Sequence, residues 1–161
     1  MKKIFLMVAI FTTTLAQAAF AQHDHANHKT ETTALLPLYY NIKDALVSGN
    51  ANLASSKANE LLTALNTPEA KAIVGNSGDE LLKYAGKIAE SKDLKSQRAN
   101  FADLSESMVA LAKNFQLSTE PIYQMYCPMK KANWLSSSSS VKNPYYGNAM
   151  LTCGKVVETL K

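Results

Sequence analysis

Ala34-Leu35-Leu36-Pro37-Leu38-Tyr39-Tyr40-Asn41-Ile42-Lys43-Asp44-Ala45-Leu46-Val47-Ser48-Gly49-Asn50 decides the fold class. Leu35, Tyr39, Ile42 and Leu46 fall three or four apart, which stacks them on one face of an α-helix. Pro37 suits such a helix only in its first turn, where a missing N–H costs no bond. Gly49 reads as the stop and Asn50 as the cap of a following helix. Leu53, Ala54, Ala58, Leu61, Leu62 and Leu65 form the next stripe, which Asn66-Thr67-Pro68 ends. Ser77-Gly78-Asp79-Glu80 reads as a capping box. It opens a third helix with Leu81, Leu82, Ala85, Ile88 and Ala89 inward. A fourth starts near Ser91 to Asp93 and carries Leu94, Phe101, Leu104, Met108, Leu111 and Phe115. Four amphipathic helices joined by short loops predict an all-α fold, an up-down helical bundle.

Upstream of this stretch the chain changes character twice. Residues 1–21 read as an export signal: Lys2 and Lys3, a short apolar run from Ile4 to Phe11, and an Ala19-Phe20-Ala21 cleavage site. The run is shorter than the roughly 20 residues a membrane span needs, and no later segment qualifies. Cleavage after Ala21 shortens the 161-residue chain to 140 residues, enough for one domain with a core. It removes two lysines and no acid, so the net charge of +4 falls to +2. Such a balance, with no basic run, argues against a nucleic-acid partner. Residues 22–33 are polar and hold His23, His25 and His28, which predicts a flexible tail with auxiliary metal-binding imidazoles.

Downstream, from about residue 121 to 161, the expectation is an irregular segment packed on the bundle within one domain, 34–161. Ile122 to Tyr126 has an extended character, Ser136 to Ser140 is a surface loop, and Val156 to Leu160 reads as a closing helical turn. Asn143-Pro144 and Gly147-Asn148 mark turns. Both cysteines and three of the six methionines lie here: Met125, Cys127, Met129, Met150 and Cys153. Thiolate and thioether sulfurs are soft donors that select Cu(I). In an extended segment Met125, Cys127 and Met129 share one side.

Tyr126-Cys127-Pro128-Met129, Trp134-Leu135, Asn143-Pro144-Tyr145-Tyr146-Gly147 and Met150-Leu151-Thr152-Cys153-Gly154 occur in that order. Together they resemble a domain of unknown function found alone in small exported proteins. The same domain is found at the C-terminus of periplasmic adaptor subunits of heavy-metal efflux pumps. The resemblance implies copper or silver as the metal and an efflux or resistance context. Tyr126-Cys127-Pro128-Met129 also resembles the Cys-Pro-Met-His segments of heavy-metal-binding domains, although Lys130 stands where their histidine falls.

Two readings of the sulfur cluster stand side by side. In one, Cys127, Met129, Met150 and Cys153 ligate Cu(I), with Met125 in reserve. In the other, Cys127 and Cys153 form a plain disulfide worth about 3–4 kcal/mol in the chain-entropy model, as an oxidising compartment favours. The methionines would then be gap-fillers among the tyrosines. Met108 lies on a helix stripe and reads as core. Tyr126, Trp134, Tyr145 and Tyr146 read as an apolar lid on the bundle, or Trp134 as a ring beside the metal. No enzyme is expected: the histidines all lie in the tail, no phosphate loop is present, and Asp79, Glu80, Asp103 and Glu106 sit at helix starts or on solvent faces. The expected protein is thus a periplasmic copper-binding protein that buffers the ion or hands it to an efflux adaptor. The alternative is a non-metal envelope interaction module braced by the Cys127–Cys153 disulfide.

Overall fold

The computed structural model describes residues 25–75 and 77–160. The export signal read at 1–21 and His23 lie outside the described residues, as do the side chains of residues 25–34. Helix α1 runs His25–Val47, so the backbone is already helical at His25 and His28. Pro37 therefore sits in the helix interior and not in a first turn. The helix runs on without the N–H that Pro37 lacks.

The helix boundaries follow local chemistry. Gly49 ends α1 with φ +72°, a left-handed conformation that glycine adopts without strain. The Asn50 N–H reaches back to the Ala45 carbonyl at 2.9 Å. The Asn50 side chain then accepts the Leu53 N–H at 3.0 Å and caps α2, Ala51–Leu65. Thr67 caps a short α3, Pro68–Val74, which the four-helix reading missed. Helix α4 spans Ser77–Glu90. Asp93 caps α5, Leu94–Asn114, by accepting the Ser96 N–H at 2.8 Å.

The stripes read from the sequence supply the core. Leu35, Tyr39, Ile42, Leu46, Ala54, Ala58, Leu61, Leu65, Leu81, Ala85, Ile88, Phe101, Leu104, Met108 and Leu111 are all buried. Leu53 and Phe115, assigned to the same stripes, are exposed instead. Helix α1 packs on α2, α2 on α4 and α4 on α5.

The fold is mixed α/β and not all-α. After Pro121 the chain forms β1 (Ile122–Cys127), β2 (Ala132–Ser136) and β3 (Lys155–Leu160), an antiparallel sheet in the order β2-β1-β3. Strand β2 lies against α5. The expected irregular segment is thus a small sheet, and the expected helical turn at Val156 to Leu160 is its third strand, paired with β1. Cross-strand partners, and not local preference, settle such short runs. Strands β1 and β2 join through Pro128–Lys131, with Lys131 at φ +55° and its N–H on the Cys127 carbonyl at 2.8 Å. Among the described residues no helix is long and apolar enough to cross a membrane.

Candidate metal centre

The sheet is fastened to the helices by aromatic side chains. The Tyr39 hydroxyl of α1 pairs with Ser105 Oγ of α5 at 2.7 Å and accepts the Leu135 N–H of β2 at 3.1 Å. Its ring stacks on Phe101 at 5.2 Å. Phe101 meets Tyr145, and Tyr145 meets Trp134 edge-on at 5.9 Å. The Tyr145 hydroxyl donates to the Asn133 carbonyl. Burial pushes the Tyr39 hydroxyl well above its ordinary range, although the bonds to Ser105 and Leu135 pull it partly back. Burial raises Tyr145 in the same direction.

Beside this joint the two cysteines meet. Cys127 Sγ and Cys153 Sγ are 3.9 Å apart and both thiols are free. A disulfide would need about 2.05 Å. Cys127 closes β1 and is fully buried; Cys153 lies in the turn before β3 and is half-buried. The Pro128–Lys131 loop presents backbone amides to both sulfurs. The Lys130 N–H points at Cys127 Sγ from 3.4 Å, and the Met129 backbone hydrogen-bonds Cys153. Partial desolvation, then the hydrogen bond and charge of Cys127, push the Cys153 thiol up, and the Met129 contact pulls it down.

Asn143 holds the pair together. Its side chain is fully buried, and its Oδ1 accepts the N–H groups of Tyr145 at 2.8 Å and Tyr146 at 3.3 Å. Two backbone donors on one atom fix which end of the amide is oxygen. The Nδ2 therefore faces Cys127 Sγ at 3.2 Å and the Cys153 carbonyl at 2.6 Å. The Asn143 N–H also donates to the Leu151 carbonyl at 2.8 Å. One residue thus ties both sulfur segments, a role that reading Asn143-Pro144 as a turn did not reveal.

Two glycines allow the close approach. A Cβ on Gly154, at φ +151°, would lie 2.7 Å from Trp134 Cη2 and 3.1 Å from the Tyr126 carbonyl oxygen. A Cβ on Gly147, at φ +55°, would lie 2.6 Å from Arg98 Nη2 and 2.9 Å from the Val47 carbonyl oxygen. The Arg98 Nη2 donates to the Leu46 carbonyl at 3.0 Å and so covers the C-terminal end of α1.

The predicted ligands separate into three groups. Cys127 and Cys153 come together. Met129 and Met150 flank them through backbone contacts, the Cys153 N–H donating to the Met150 carbonyl at 3.0 Å, while both methionine side chains are exposed. Met125 is fully buried in the core, opposite Trp134 across the sheet. The side chains of His25 and His28 lie outside the described residues. Among the described residues no group of three or more histidine, cysteine or acidic side chains is gathered. The neighbours of the thiol pair along the chain are thioethers.

These features define a class: a helical layer carrying a small antiparallel sheet, with a thiol pair at the end of the sheet's central strand. Residues 35–120 match the family described as protein of unknown function (DUF3347), and the chain belongs to that family. The match ends before β1, so the sulfur pair lies beyond it. No curated protein and no solved structure matches the chain.

Proposed function

We propose that this protein binds Cu(I), with silver as its close chemical equivalent, in the periplasm, and buffers the ion or passes it to a heavy-metal efflux adaptor. The observation that carries the reading is the 3.9 Å separation of the two thiol sulfurs. Metal–thiolate bonds of about 2.3 Å, the length found for zinc, would bridge sulfurs at that spacing with an angle of roughly 115° between them. Soft sulfur donors favour Cu(I) over harder ions. The Lys130 amide and the Asn143 Nδ2 donate hydrogen bonds to Cys127 Sγ of the kind that orient metal ligands.

The copper ion is cargo in this reading, and no bond of a substrate is made or broken. Exposed Met129 and Met150 are the thioethers an arriving ion would meet first, and the buried Cys127 would be the innermost donor. Transfer would proceed by exchange of one sulfur for another. The export signal read at residues 1–21 supports the compartment. The family resemblance of the C-terminal motifs supports the efflux partner. Met125, wholly inside the core, is better explained by packing.

Titration of the reduced mature protein with Cu(I) against a chromophoric chelator tests this. One tight equivalent is expected, retained when residues 22–33 are deleted and lost in the Cys127→Ser/Cys153→Ser double variant. Met129→Leu/Met150→Leu is expected to weaken binding by about tenfold, the scale of a lost outer contact to a metal site. Copper lost with the tail alone, or no competitive binding, would overturn the proposal and favour the disulfide-braced interaction module.

A further inference from the structure

The sulfur pair also has the geometry of a reaction that needs no metal. The two thiols differ in access: Cys153 is half-buried in a turn, whereas Cys127 is fully buried behind Asn143 and the Lys130 amide. An incoming disulfide can reach only the first. The second lies 3.9 Å behind it, close enough to attack whatever Cys153 becomes bonded to. We infer that the pair performs ordered thiol–disulfide exchange, with Cys153 as the attacking thiol and Cys127 as the resolving thiol.

Cys153 gives its proton to solvent and its thiolate attacks one sulfur of an external disulfide RSSR. The S–S bond of RSSR breaks and one RS⁻ leaves, to be protonated as RSH. Cys127 then loses its proton and attacks Cys153 Sγ, which expels the second RS⁻. Two protein thiols are oxidised to one disulfide, and one RSSR is reduced to two RSH. The second attack requires the sulfurs to close from 3.9 Å to about 2.05 Å. Cys153 closes the turn from Met150, outside the strand ladder. Cys127 stays fixed at the end of β1 by its donors.

This inference stands apart from the copper reading, because metal-free protein suffices to test it. Fully reduced, metal-free protein is mixed with oxidised glutathione, quenched with acid at intervals and mapped by peptide mass spectrometry. The wild type is expected to end as an internal disulfide without retained glutathione, after a transient adduct found on Cys153. Cys127→Ser and Cys127→Ala should accumulate a stable adduct on Cys153. Cys153→Ser should react about tenfold more slowly or less, since its remaining thiol is buried. A wild-type transient found on Cys127, or an end state that retains glutathione, would overturn the assignment. The wild-type time course decides the order even where a variant fails to fold. Adding one equivalent of Cu(I) keeps the two proposals separable: protection of both thiols supports copper binding, and unchanged exchange counts against copper binding alone.

Discussion

The helices and the sheet of this molecule are built on opposite principles. Helices α1, α2, α4 and α5 bury repeated apolar residues at three- and four-residue spacing, so each contact is one of many like it. The segment from β1 to β3 depends on contacts that occur once: Asn143 between two sulfur segments, Gly154 under Trp134, and Tyr39 reaching from α1 to β2. Redundancy makes a periodic stripe tolerant of change, since a core keeps its fold while volume and pattern are kept. A single buried amide with four bonds has no substitute. The family match covers the repetitive half, and the sulfur pair lies in the other.

Asn143→Ala is the sharpest way to break this contrast. It leaves the Tyr145 and Tyr146 N–H groups and the Cys153 carbonyl without their partner. At about 1–3 kcal/mol for the buried Tyr145 N–H left unsatisfied, and toward the lower end of that range for each of the two part-buried groups, the expected loss is about 3–4 kcal/mol by denaturant unfolding. Cys127 should at the same time become reactive to an alkylating reagent. A stable variant with a still-protected Cys127 would show that the amide is dispensable.

Tyr39→Phe tests the seam between the halves. The Leu135 N–H and Ser105 lose their partner, for an expected cost of about 1–3 kcal/mol. The pH dependence gives a second readout. Burial keeps Tyr39 protonated well above the ordinary tyrosine value of about 10. The unfolded chain loses that proton first as pH rises, so its contribution is intact below about pH 10 and is lost above it. Alkaline unfolding of Tyr39→Phe should therefore be shallower by up to about 1.4 kcal/mol per pH unit. An unchanged slope would place the alkaline sensitivity elsewhere, with Tyr145 the next group to remove.

Asn50→Ala belongs to the repetitive half and should cost least. Loss of the cap on Leu53 is expected to remove about 1 kcal/mol from the unfolding free energy. Thiol reactivity and Cu(I) affinity should stay at wild-type values. A change in either would mean that the two halves are more tightly coupled than their contacts suggest.

The same contrast explains what could be read in the sequence. Gly49, Asn50 and Asp93 act through bonds within a few residues, and the helix ends they set were legible. The burial of Leu35, Tyr39, Ile42 and Leu46 followed from spacing alone. Helix α3 was missed because seven residues hold too little of a repeat to register. Strand β3 is exposed along almost its whole length, so Lys155 to Leu160 carries no alternation of apolar and polar residues. Only its pairing with β1 makes it a strand. Cys127 and Cys153 were recognisable as candidate soft donors, but that their segments meet, with the sulfurs 3.9 Å apart, was not legible. The hold of Asn143 on them spans 16 residues to one sulfur and 10 to the other carbonyl, and no local rule reveals it.

Trp134 is the only tryptophan in the chain. Its ring is fully buried and its far edge rests against Gly154, the residue after Cys153. All indole fluorescence from this protein therefore originates at one point, a residue away from the outer thiol. The helices contribute tyrosine emission alone. Excitation selective for indole would follow events at the sulfur pair optically, without any label being introduced.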